Sequence, residues 1–207
     1  MPQALVVRLC NYIGDVVLSV PALQLLHDHG FQLHLIGKPW ASALLSGHPW
    51  PVETRASTLG ARVTQLRDLR RRLFDQSGPR SPVEALAMPN SFSSALELRM
   101  AGLHTAGVAR DGRSLLLKRR LQPYDHPHAL VGFWSLARQL TQHAGPPPLS
   151  IGLTLTDSAK AAADDLIRKR GWASGFVCIA PFCAGLVDGQ PKRWPEFPAL
   201  VEKLLPL

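Results

Sequence analysis

The chain has 207 residues, 46% of them hydrophobic, with a net charge of +8 and an isoelectric point of about 10.0. That balance suits one ordinary domain plus part of another, and no apolar run is as long as a membrane span. The basic surplus favours an anionic partner such as nucleic acid, a phosphorylated sugar or acidic lipid headgroups.

Residues 4–9 form a short run rich in Leu and Val, the pattern of a buried strand, and residues 16–26 a longer apolar run that reads as a helix. Between them stand Asn11, Tyr12, Ile13, Gly14 and Asp15. Such a loop lies at the carboxyl end of a strand, where open α/β sheets place their ligands. Gly14 has no Cβ, so a ligand or another backbone can come close. Asp15 is the only acid before Asp28. It suits a helix N-cap, the commoner job for Asp at such a place, and it also suits a general base aimed at an acceptor hydroxyl. The two roles are compatible, because one oxygen can cap while the other faces a cleft. Pro21 removes a backbone bond inside the helix and predicts a kink or a restart near Ser19.

Residues 32–37 alternate as a second strand, and 40–45 suit a short helix before a turn at 47–49. Residues 59–74 read as a helix whose apolar face is Val63, Leu66, Leu69 and Leu73, with Arg67, Arg70, Arg71 and Arg72 beside it. A loop at 77–82 leads to a strand at 83–88, broken by Pro89, Asn90 and Ser91 before a helix at 92–101. This repeats the opening pattern of strand, small polar loop and helix. If the two strands are parallel, both loops emerge on the same edge. Asn90 and Ser91 can then supply neutral hydrogen bonds there, or cap the helix.

A short strand follows at 105–109, a turn at 110–113, an extended piece at 114–117 and an amphipathic helix at 128–143. The basic groups at 67–72 and 118–120 read as solvated helix faces. His126 and His128 are too few for a metal site, and Cys10, Cys178 and Cys183 lack zinc-type spacing. No basic run is interleaved with aromatics, so no nucleic-acid partner is expected. The N-terminus has no basic n-region and the first apolar stretch carries Arg8 and Asp15, which predicts a cytoplasmic protein without a signal peptide.

Gly145 and Pro146–Pro148 form a stiff linker, which divides the chain into an α/β domain over 1–145 and a second part over 146–207. The second part offers a helix at 158–170, a strand at 176–180, a loop at 181–190 and a helix at 195–205. One strand and one helix cannot close a sheet, so a second α/β domain is expected to have begun without being completed.

Four segments carry a family resemblance. They are residues 8–17 with Pro21-Ala22-Leu23, residues 88–95 (MPNSFSSA), Ala101-Gly102 with Gly107, and residues 191–196 (PKRWPE). In this order they resemble glycosyltransferase family 9, the bacterial lipopolysaccharide heptosyltransferases, in the form of its heptosyltransferase II branch. The resemblance implies a GT-B fold, with a doubly wound Rossmann-like acceptor domain followed by a nucleotide-sugar domain. It implies ADP-L-glycero-D-manno-heptose as donor and no cofactor or required metal. The implied acceptor is the anionic, lipid-linked lipopolysaccharide inner core, met by peripheral contact with the inner membrane. Reaction is then by a single inverting displacement. Asp15 matches the general base, Lys192 and Gly14 the donor side, and Asn90 and Ser91 the acceptor side. Two departures stand against this. Pro181-Phe182 replaces the family's Pro-Gly, where Phe blocks close approach of a phosphate. Family members are also considerably longer, and the remainder carries the adenine pocket and most of the donor site. The alternative expectation is an inactive remnant that at most binds an anionic sugar acceptor.

Overall fold

The computed structural model describes residues 3–74, 83–110, 112–124, 126, 128–181, 186–187, 189–191 and 194–205. The chain divides into two units, Met1–Asp157 and Ser158–Leu207.

The first unit is built on β1 (Gln3–Arg8), β2 (Phe31–Gly37), β3 (Val52–Thr54), β4 (Ala85–Ala87), β5 (Thr105–Val108) and β6 (Arg119–Leu121). These six strands are all parallel and lie in the order β3-β2-β1-β4-β5-β6. Around them run α1 (Ile13–Asp28), α2 (Trp40–Leu44), α3 (Leu59–Phe74), α4 (Phe92–Met100) and α5 (Ala129–Thr141). Alternation along β1 sends Leu5, Val7 and Leu9 into one core with Val16, Val20 and Leu23 of α1 and Trp134, Leu136 and Leu140 of α5. Val6 goes the other way, into a second core with Leu66 and Leu69 of α3 and Leu98 of α4. Both faces of the sheet are covered, as a parallel sheet requires. The result is the doubly wound α/β architecture the sequence predicts.

Several elements differ from expectation. α1 starts at Ile13, so Gly14 and Asp15 are helical rather than in a loop. It also continues through Pro21 without a restart. Val20, Pro21 and Ala22 are all buried there, and this packing outweighs the one backbone bond that Pro21 removes. β3 and β6 are strands that the sequence did not announce. β6 occupies the basic group read as a helix face. Leu121 anchors it to the core while Arg119 and Arg120 stay exposed along the sheet's outer edge, where charge discourages edge-to-edge pairing. Residues expected to be extended at 114–117 mostly form a 3-10 turn, Arg113–Leu116.

The second unit holds α6 (Asp157–Arg170), a two-stranded antiparallel ribbon of β7 (Leu186–Val187) and β8 (Gln190–Pro191), and α7 (Phe197–Leu204). Residues 176–180, expected as a strand, are irregular, and the ribbon falls where a loop was expected. A strand exists only when a neighbour takes its backbone bonds, and among the described residues none lies beside this segment. Phe176 and Val177 are exposed, and neither α6 nor α7 buries a residue.

The proline-rich stretch after α5 is held against the first unit. Gly145 O accepts from Trp134 Nε1 at 3.1 Å, and Ile151 and Leu153 pack on the first core. The Thr154 N–H donates to His48 Nε2 at 3.1 Å, while His48 stacks on Trp50 with ring centroids 4.2 Å apart. Burial pushes the His48 pKa down, and burial does the same for His34, opposed there by Glu53. Both rings are therefore favoured neutral in the fold. Their stabilisation is complete above the unfolded histidine value of 6.5 and is lost as the pH falls below it. Protonated His48 also cannot accept the Thr154 bond. Thermal midpoints measured from pH 7.5 to 5 should fall. His48→Gln, whose amide oxygen can accept that bond without titrating, should show a shallower fall.

Candidate active site

The strand order reverses between β1 and β4. α1 leaves β1 toward one face of the sheet and α4 leaves β4 toward the other, which opens a crevice at their carboxyl ends. A cleft of about 230 Å³ lies there. Asn11 and Asp15 contribute from the β1 side, Asn90 and Ser91 from the β4 side, and Phe133 from α5. Three of the residues singled out in the sequence, Asp15, Asn90 and Ser91, thus share one cavity although up to 76 positions separate them. Gly14 is exposed and is not part of the cleft wall; a Cβ built on it meets nothing within 4 Å. Lys192 and Phe182 lie outside the described residues.

Asp15 stands in the first turn of α1 but does not cap it. The N-cap is Tyr12, with no side-chain bond. Asp15 is half-buried, and among the described residues no donor is bonded to its carboxylate. Its charge is felt by Cys10, whose thiol is pushed up to about 12, first by burial and then by Asp15, with Arg8 opposing. Cys10 therefore stays protonated at neutral pH and is no nucleophile. Ser91 does cap its helix: Oγ accepts from the Ser94 N–H at 3.4 Å. Asn90 is exposed and bonds no described residue, which leaves its amide available to a ligand.

Buried arginines hold both loops from beneath. Arg8, 3% exposed, donates from Nε to Glu97 Oε1 at 2.9 Å, from Nη1 to Leu9 O, and from Nη2 to Asn11 Oδ1 at 3.0 Å. Glu97, 1% exposed, takes Arg62 Nη1 on its other oxygen at 2.9 Å, with Arg55 Nη1 3.9 Å away. Arg55 is pushed below its ordinary pKa, mainly by burial and then by Arg8. Three guanidiniums around one carboxylate leave positive charge behind the β1–α1 loop. On the other side Arg113, with no exposed surface, donates from Nη1 to Pro89 O at 2.6 Å and so grips the β4–α4 loop.

A second hollow of about 200 Å³ adjoins the first and shares Met88, Asn90 and Phe133 with it. Arg110, Tyr124 and Leu136 also line it. His128 caps α5, its Nδ1 accepting from the Leu130 N–H at 3.3 Å, so the paired histidines serve the helix start.

Sequence reasoning missed Arg8, Glu97, Arg113, Arg110 and Tyr124. Arg8 carried a usable signal, since it is a charge inside an otherwise apolar buried strand. Glu97 carried another, as the only acid of its helix. Arg113 fits only because residue 107 is glycine: a Cβ there would stand 2.7 Å from Arg113 Nη2 and 3.3 Å from Leu117 Cδ2. Gly107→Ala should therefore cost about 1–3 kcal/mol by overpacking, seen as a lower urea midpoint. An unchanged midpoint would show that Arg113 can move aside freely.

Comparison with known proteins places this geometry. The family model described as glycosyltransferase family 9 (heptosyltransferase) matches residues 68–206, which includes Asn90, Ser91 and Lys192 and leaves Asp15 outside. No curated protein matches the chain. Among solved structures it is similar to Escherichia coli ADP-heptose lipopolysaccharide heptosyltransferase II, at 23% identity and a TM-score of 0.65, over 99% of this chain and 62% of that one. A family 9 glycosyl transferase from Veillonella parvula gives 13% identity and a TM-score of 0.65, over 98% and 59%. E. coli heptosyltransferase WaaC with ADP-2-deoxy-2-fluoro heptose gives 16% and 0.53, over 72% and 50%. The chain thus spans less than two thirds of each of these three, and at such identities the likeness is one of fold, the Rossmann-like α/β fold of GT-B heptosyltransferases. By the match of 68–206, two thirds of its length, the chain belongs to glycosyltransferase family 9, the heptosyltransferase family.

Proposed function

We propose that this chain supplies the acceptor side of a heptosyltransferase that moves heptose from ADP-L-glycero-D-manno-heptose to the lipopolysaccharide inner core. The observation that carries the reading is the meeting of Asp15, Asn90 and Ser91 in one cleft at the switch point of a family 9 chain.

A sugar hydroxyl is a poor nucleophile, so its proton must leave as its oxygen attacks. In this reading Asp15 accepts that proton. The acceptor oxygen forms a bond to the anomeric carbon while the bond from that carbon to the ADP oxygen breaks on the opposite face. The electron pair leaves with the diphosphate, and the anomeric configuration inverts. Lys192, ahead of α7, is the family match for holding the diphosphate charge. Asn90 and Ser91 line the acceptor's place. The positive surplus of Arg8, Arg55 and Arg62 over Glu97 favours an anionic acceptor near the β1–α1 loop. The donor assignment has support from the relative solved with an ADP-heptose analogue. Among the described residues no helix is long and apolar enough to cross a membrane. In this reading the lipid-linked acceptor is reached by peripheral contact at the cytoplasmic face of the inner membrane.

A second reading is that these 207 residues, 62% of the length of the heptosyltransferase II they resemble, bind the acceptor without themselves turning it over. An acceptor half alone cannot orient a donor for in-line attack. One experiment separates the two. The chain is incubated with ADP-heptose and a deacylated inner-core oligosaccharide, and the heptosylated product is followed by mass spectrometry. Transfer that drops at least about a hundredfold in Asp15→Asn, with an unchanged thermal midpoint, supports the enzyme reading. Equal turnover in that variant refutes the base assignment. Oligosaccharide binding with neither nucleotide binding nor product supports the second reading.

A further inference from the structure

The acceptor cleft contains an amide side chain to which the proposed mechanism gives no role. Asn11 stands on its wall, four positions before Asp15, and is exposed. Its only hydrogen bond among the described residues is at Oδ1, from Arg8 Nη2 at 3.0 Å. A guanidinium carries donors and no acceptor, so the amide cannot present its nitrogen to Arg8. The orientation of Asn11 is thus settled by chemistry: Oδ1 faces Arg8, and Nδ2 is left without a described partner.

Arg8 has little freedom to alter this. It is buried, Nε is engaged by Glu97 and Nη1 by the Leu9 carbonyl. Glu97 is fixed in turn by Arg62 on its second oxygen. The network therefore reaches from α3 and α4 through the end of β1 to one amide on the cleft wall.

We propose that Asn11 is an acceptor-binding residue whose Nδ2 donates to a substrate oxygen beside the hydroxyl that Asp15 deprotonates, and that Arg8 is the positioning residue that keeps this donor turned outward. This rests on the acceptor reading above. An ionised Asp15 offers only acceptors, whereas Asn11 Nδ2 offers donors. Together they select a polyhydroxylated ligand whose nucleophilic hydroxyl has a hydrogen-bond-accepting oxygen next to it, as a vicinal diol or a hydroxyl near a carboxylate does. Asp15 alone would not distinguish such a ligand from a simple alcohol.

The test is calorimetric titration of the 207-residue chain with a deacylated inner-core oligosaccharide. Asn11→Ala removes the donor. Asn11→Asp keeps an oxygen on Arg8 but replaces the donor with an acceptor. Each should weaken binding about tenfold or more, the effect of one lost hydrogen bond in a desolvated site. Arg8→Lys should weaken binding in the wild-type background and add nothing in the Asn11→Ala background, the signature of action through Asn11. Should Arg8→Lys fail to fold, the side-chain amide resonance of Asn11 gives a second readout: it should shift on titration in the wild type. Wild-type binding that survives both Asn11 substitutions, or an unmoved Asn11 resonance in the bound state, overturns this inference and leaves the acceptor reading standing. Absence of binding by the wild type overturns the acceptor reading, and this inference with it.

Discussion

The carboxylate of Glu97 sits between Arg8 and Arg62, out of reach of water, and ties the end of β1 to α3 and α4. A buried ion of this kind persists only when its partners satisfy it. Removing one partner strands the other, at a cost of about 3–5 kcal/mol. Here both carboxylate oxygens are taken, and Arg8 gives two further donors to the Leu9 carbonyl and to Asn11. The geometry of the β1–α1 loop therefore follows from an interaction beneath it. Asn11 and Asp15 are displayed from a floor that packing and charge hold still, and Arg113 gives the β4–α4 loop a matching hold through the Pro89 carbonyl. Such support matters for group transfer, since small displacements of a base or a reactant are costly in rate.

Topology does the rest. In a parallel sheet the helices that follow neighbouring strands usually lie beside one another and close the edge. Between β1 and β4 they part to opposite faces, and a crevice is unavoidable. The chain has filled that crevice with groups suited to a carbohydrate: a carboxylate with no described partner, neutral amides, a hydroxyl and an aromatic wall. The proposed glycosyl transfer joins this lining to the family the chain belongs to.

Much of the first unit was legible in the sequence because its period is strong. α3 shows this well, its buried Val63, Leu66 and Leu69 falling on the expected stripe. Not every short strand was legible. β3 and β6 have three residues each and owe their existence to the neighbours they pair with. Residues 176–180 show the converse, a strand-like composition with no described strand alongside. At the site, Asp15, Asn90 and Ser91 were visible as small polar residues after apolar runs, and the parallel sheet brought their loops together. Of the two caps the sequence suggested, the one at the β4–α4 loop is made by Ser91, while Asp15 does not cap α1. The Arg8–Glu97 pair was invisible because 89 positions separate its members, and no local pattern reports that distance.

In the proposed function the carboxylate at this crevice meets the acceptor's nucleophilic oxygen. A crystal structure of the chain soaked with a deacylated inner-core oligosaccharide tests it most directly. One sugar hydroxyl should lie within about 2.6–3.2 Å of an Asp15 oxygen, with the sugar against Asn90. An oligosaccharide bound elsewhere on the first unit, with Asp15 facing only solvent, would contradict it.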